Sequence, residues 1–160
     1  MVTESVGWNV PEDVLVAYSR RMGVSHIRYF AGPYQLQKDG SSVIIQIDGA
    51  CRGNGTRSAR GGWGAFFGPQ SEYNSWGLVP PNAPQTSTYA ELYALIGALD
   101  TTWGIKSRGE TVAHWNFLLE IRQGIDDMIL FGGRNMEFKF WHVPRELNET
   151  ADALANRAFT

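Results

Sequence analysis

Cysteine is almost missing from this sequence. Cys51 stands alone among 160 residues, which excludes an internal disulfide and any zinc site built from several thiolates. No apolar run approaches the roughly 20 residues that crossing a bilayer takes, so no membrane partner is expected. The N-terminus, with Glu4, Glu12 and Asp13, lacks the basic-then-apolar order of a secretion signal. The expectation is an intracellular chain, in nucleus or cytoplasm. An excess of charge is also absent: 14 basic residues against 16 acidic ones leave a net charge of -2. With no overall field to attract nucleic acid, any such binding must come from a local patch. What is present is the composition of an ordinary globular domain, 43% hydrophobic and 19% charged, at a length sufficient for one core and short of two.

Residues 1–40 read as an N-terminal extension. Pro11-Glu12-Asp13 starts a helix of about three turns on which Val14, Leu15, Tyr18 and Met22 recur at helical spacing. Ile27 to Phe30 reads as a brief strand or docking segment. Residues 41–160 read as the main domain. Val43 to Ile47 is a buried strand running into Asp48, followed by a loop containing Gly49, Gly53 and Gly55. Gly61 to Gly68 and Glu72 to Val79 add two strands, and Pro80, Pro81 and Pro84 end the meander, because proline cannot continue a sheet ladder. A helix then starts near Thr88, with Leu92, Leu95, Ile96 and Leu99 as its apolar stripe. After a loop at 101–111 come a second helix bearing Trp115, Leu118, Leu119, Ile125 and Ile129, a strand from Met136, and a last helix capped by Asn148. This order predicts an α/β domain whose mixed sheet begins with three antiparallel strands and carries helices packed upon it.

Three carboxylates attract attention. Asp48 ends an apolar strand, although Asp-Gly also opens turns. Glu91 is the fourth residue of Thr88-Tyr89-Ala90-Glu91, a capping-box pattern, and Asp152 with Glu149 complements a helix dipole. Glu91 and Asp152 each also lie beside an apolar stripe, about 100° around their helices from the core-facing line, within reach of the sheet toward Asp48. Taken together, hard oxygen donors from three elements, without imidazole or thiolate, suit Mg2+ or Mn2+. Such ions activate water and stabilise the leaving oxygen of a phosphodiester.

The stretches Asp48-Gly49-Ala50-Cys51-Arg52-Gly53-Asn54-Gly55, Gly61-Gly62-Trp63-Gly64, Gln85-Thr86-Ser87-Thr88-Tyr89-Ala90-Glu91-Leu92 and Asn148-Glu149-Thr150-Ala151-Asp152-Ala153-Leu154-Ala155 occur in the order of the type 1 ribonuclease H domain, which the chain resembles from Ser42 to Phe159. The resemblance implies a ribonuclease H-like fold and a metal-dependent endonuclease that cuts the RNA strand of RNA/DNA hybrids, with Mg2+ (or Mn2+) and no small-molecule cofactor. It also implies catalytic, metal-binding roles for Asp48, Glu91 and Asp152, and nucleic-acid contacts from Cys51, Arg52 and Asn54. Contacts from Ser87 and Thr88 are expected to be altered, since these two replace amide side chains.

The chain departs from the family between Thr102 and Trp103, where a fourth strand, its third carboxylate and a helix are missing. Impaired activity and a sheet prone to associate are the consequences expected. The histidine-bearing loop before the last helix is also short, and His142 reads as a packed strand residue. Two alternatives follow: a non-catalytic nucleic-acid-binding module using Arg52, Arg57, Arg60, Lys106 and Arg108, or a truncated splice product.

Overall fold

The computed structural model describes residues 12–33, 35–40, 42–103, 123 and 142–160. The chain divides into two compact units, Met1–Ile45 with Phe67–Tyr73, and Gln46–Phe66 with Asn74–Thr160. This division differs from the boundary at residues 40/41 read from the sequence, because Ile44 bridges to Ser25 and the Ser25 amide donates to the Phe67 carbonyl at 2.8 Å.

In the first unit a one-turn helix, α1 (Glu12–Leu15), leads into β1 (Val16–Ser19). An antiparallel sheet then forms in the order β1, β2 (Val24–Gly32), β3 (Gln35–Lys38). The three-turn helix expected here is therefore cut to one turn. Val16 and Tyr18 favour the pleat, and the turn closed by Gly23 at φ 69° folds them back onto Ile27 and Ser25. Pairing across the hairpin overrides helical spacing.

The second unit carries β4 (Gln46–Arg52), β5 (Arg60–Phe66) and β6 (Ser75–Leu78), an antiparallel sheet in that order. This is the antiparallel meander that the glycine and proline punctuation predicts. Helix α2 (Ser87–Trp103) and helix α3 (Glu149–Arg157) pack upon it, giving a mixed α/β domain. The β4 strand is displaced from expectation: Val43 is exposed, and pairing starts at Gln46 and runs on to Arg52. Asp48 thus lies within the strand, opposite Gly64, and does not end it. The second helix and the strand from Met136 expected from the sequence lie outside the described residues.

Glycine sets how closely the helices approach. A Cβ on Gly49 would sit 2.2 Å from the Glu91 nitrogen, so the start of α2 rests directly on β4. On Gly64 it would sit 2.6 Å from the Ala155 nitrogen, and on Gly62 2.7 Å from the Ala155 carbonyl, so α3 rests on β5. Neighbouring strand residues face opposite sides and cross-strand partners share one. Gly49 therefore faces α2, whereas Asp48, paired with Gly64, faces α3. The buried side of α2 is correspondingly small: Ala90, Ala94 and Ala98, with Tyr89, are buried, while Leu92 and Leu95 are only half-buried around Ile96. The leucine stripe expected to face the sheet lies beside the contact, since only small side chains fit against a glycine-rich sheet.

Candidate active site

The site is assembled at the middle of β4. Asp48 points toward α3, whose first turn presents Asp152 within hydrogen-bonding reach. Asn148, expected as the cap of this helix, makes no side-chain cap bond. It instead donates through Nδ2 to the Ile47 carbonyl at 2.9 Å, fastening the start of α3 to the residue before Asp48. Asp152 accepts from Asn156 Nδ2 at 3.2 Å and from Arg145 Nη2 at 3.4 Å. Arg145 stands on a single 3-10 turn, Arg145–Leu147, and is largely in solvent. An open cleft of about 240 Å³ is lined by Arg145, Glu146, Glu149 and Asp152.

Glu91 arrives from the other helix. Thr86 Oγ1 accepts the Tyr89 amide at 3.2 Å, so the helix start lies two residues earlier than expected. Glu91 is then beyond the first turn, and its reading as the far half of a capping box is withdrawn. Its carboxyl is free for other work. Glu91 is exposed as a residue, yet partial loss of water around its carboxyl, and next the negative Asp48, push it up to about 7, opposed by the Gly49 amide that donates to it. Burial likewise leads for Asp48, followed by the charge of Asp152 and their mutual hydrogen bond, pushing it up to about 6; Arg145 and the Gly49 amide act in the opposite sense. Asp48 is thus coupled to Asp152 and to Glu91, and the reading of Asp48 as a turn opener is excluded by its ladder pairing.

The residues expected along a nucleic-acid strand sit at the end of β4, in the turn after it and at the start of α2. Arg52 is exposed and its guanidinium lies 4.4 Å over the Phe159 ring, while Asn54 occupies the exposed turn after β4. Cys51 is half-buried with its thiol 3.5 Å from the Gln85 carbonyl, and Ser87 and Thr88 are exposed at the start of α2. Arg57 and Arg60 are exposed; Lys106 and Arg108 lie outside the described residues. His142 is exposed, contrary to its reading as a packed strand residue, because residues 142–144 have no regular secondary structure.

Residue spacing missed two groups. Arg145 drew no notice as one basic residue among acidic ones, and only the fold brings it onto Asp152. Gln85 was read as part of a motif and turns out to bind the loop before α2: its Oε1 accepts the Gly61 amide at 2.8 Å, and its Nε2 donates to Pro80 and Ala83 carbonyls at 2.7 and 2.9 Å.

Among the described residues no three carboxylate, imidazole or thiol groups lie close enough to hold one metal ion together. The acidic groups meet as pairs that share Asp48.

A mixed α/β domain with acidic groups from two helices meeting Asp48 on β4 is the class that fold and site define. No family model matches the chain. It is 39% identical over 69 residues to Ribonuclease H of Crithidia fasciculata, covering 41% of this chain and 14% of that protein. It is 35% identical over 83 residues to Ribonuclease H1 of Rattus norvegicus (48% and 28%), and 38% identical over 60 residues to Ribonuclease H1 of Mus musculus (38% and 20%). The chain thus spans less than a third of the length of these relatives. A solved structure, LC11-RNase H1 in complex with RNA/DNA hybrid, overlays 71% of this chain and 94% of its own with TM-score 0.45 and 24% identity. Over these segments of about 60 to 83 residues the chain is similar to Ribonuclease H and Ribonuclease H1.

Proposed function

We propose that this chain is a metal-dependent endonuclease that binds RNA/DNA hybrids and hydrolyses the RNA strand, with Asp48, Glu91 and Asp152 as its acidic centre. The observation that carries this reading is the coupling of Asp48 to both other carboxyls, from helices on opposite faces of one sheet. Burial and a neighbouring carboxylate raise the proton affinity of both Asp48 and Glu91, an arrangement common at functional sites.

The donor set fits Mg2+ or Mn2+. Its oxygens are hard, and magnesium takes only one or two protein carboxylates, keeping water and substrate phosphate for the rest of its shell. Pairs sharing Asp48 are therefore enough. When bound, such an ion supplies an activated water and stabilises developing charge on the phosphate. The chain's own residues orient this chemistry: the Asn148 amide holds Asp48 and Asp152 in register, and the Gly49 amide donates to Asp48 and Glu91. Arg52, at the end of β4, and Asn54, in the turn after it, are exposed, which supports their assignment to the nucleic-acid backbone.

A non-catalytic nucleic-acid-binding module is the second reading, favoured by the lack of a three-group ion site among the described residues. The purified chain incubated with labelled RNA/DNA hybrid and Mg2+, beside Asp48→Asn, separates the two. Cleavage lost in the variant supports the nuclease. Binding without cleavage supports the module, and neither binding nor cleavage rejects both.

A further inference from the structure

The guanidinium of Arg145 lies against the Asp152 side of the carboxylate cluster. Its Nη2 lies 3.4 Å from Asp152 Oδ1, and its positive charge reaches Asp48 as well. Among the described residues, Arg145 is the cation lining the cleft, whose other walls are Glu146, Glu149 and Asp152. The contact is weakly anchored: the Arg145 side chain is 86% exposed, against 32% for Asp152. An exposed pair of this kind adds little stability and opens readily. From this placement we propose that Arg145 is a resident counter-ion of the Asp152 carboxylate, staying on it until a divalent cation displaces it. The inference rests on the metal-dependent reading above and adds a regulated step to it: cation binding must first expel a side chain.

The displacement has a second consequence. Arg145 sits on a 3-10 turn directly before α3, so a guanidinium released from Asp152 remains beside the cleft. There its planar fork suits a phosphate oxygen of an incoming strand. Nucleic acid that captures the guanidinium would then favour cation entry, and cation entry would favour capture of nucleic acid. Such coupling between two ligands is reciprocal.

The test is calorimetric titration of Mn2+ into the full chain without nucleic acid, comparing the native protein with Arg145→Ala and Arg145→Lys. Loss of the competing charge should tighten Mn2+ binding roughly three- to tenfold in Arg145→Ala, the range expected for one exposed unit charge near the ion. Arg145→Lys should stay within about twofold of the native value, since it keeps the charge. A second titration with non-cleavable hybrid should show Arg145→Ala binding it more weakly and with less mutual enhancement by Mn2+. Equal Mn2+ affinity in native protein and Arg145→Ala, or weaker binding in the variant, overturns the inference and leaves the metal reading standing. No Mn2+ binding by any of the three chains overturns the metal reading, and this inference with it.

Discussion

The side-chain amide of Asn148 is bonded to the backbone carbonyl of Ile47, 2.9 Å away and 101 residues earlier in the chain. This bond joins the helix bearing Asp152 to the strand bearing Asp48 at the residue next to the acid. Asn148→Ala should cost about 1 kcal/mol of stability, the usual net contribution of one such bond. Hybrid cleavage should fall by considerably more than stability does, because the separation of the two carboxylates is no longer fixed. Chemical denaturation and kcat measured on the same preparations check both. A loss of stability with unchanged kcat would show that Asn148 serves the fold alone.

Gly49 does for Glu91 what Asn148 does for Asp152. A Cβ at this position would press on the backbone of Ala90 and Glu91 at 2.2 to 2.8 Å, and helix backbone cannot swing aside as a flexible side chain can. Gly49→Ala should therefore push the start of α2 off the sheet, at a cost of about 3 kcal/mol. A midpoint shift in urea, with loss of cleavage, is the expected outcome.

The comparison of Asp48 with Glu91 shows what a sequence can and cannot tell. Both acids stood out because strand and helix patterns put a carboxylate beside an apolar stripe, and the meander of three strands followed from glycine and proline punctuation. The register did not. Asp48 looked like the end of a strand since apolar residues stopped there, yet Gly49, Ala50 and Cys51 continue the ladder against Trp63, Gly62 and Gly61. Glycine reads as loop in one dimension and as a helix docking surface in three. The cap of α2 was misplaced for a related reason: Thr86 and Thr88 are equally good caps by type, and only the Thr86 hydroxyl meets the Tyr89 amide. The N-terminal helix was overextended because the pairing of β1 with β2 is a non-local effect invisible to spacing.

Gln85 ties β5 to the loop that launches α2. One side chain satisfies the Gly61 amide and the carbonyls of Pro80 and Ala83. Gln85→Ala would leave a backbone donor and two acceptors in half-buried positions, a loss of about 2 kcal/mol. Gln85→Glu keeps the acceptor for Gly61 and turns the donor into a second acceptor facing carbonyls, so it should be at least as damaging. Thermal melts of the two variants check the ordering. If Gln85→Glu is close to native, the Gly61 bond carries the network and the bonds to Pro80 and Ala83 are incidental.

The raised proton affinities of Asp48 and Glu91 set a pH dependence whose sign is opposite to that of an ordinary stabilising carboxylate. Their values climb from 3.8 and 4.5 in the open chain to about 6 and about 7 in the fold. The folded protein therefore holds more protons than the unfolded one between about pH 4 and pH 7, and stability falls as pH rises through that window. In a metal chelator the melting temperature should be higher at pH 5 than at pH 8. Asp48→Asn removes the mutual repulsion, so it should melt above the native protein at pH 8 and close to it at pH 5, while cleaving nothing. Added Mg2+ should raise the native melting temperature at pH 8 and leave that of Asp48→Asn almost unmoved, because the ion neutralises the cluster only where Asp48 is charged. Acidic groups arranged for the fold alone would give the reverse, a native protein that loses stability as pH falls from 8 to 5.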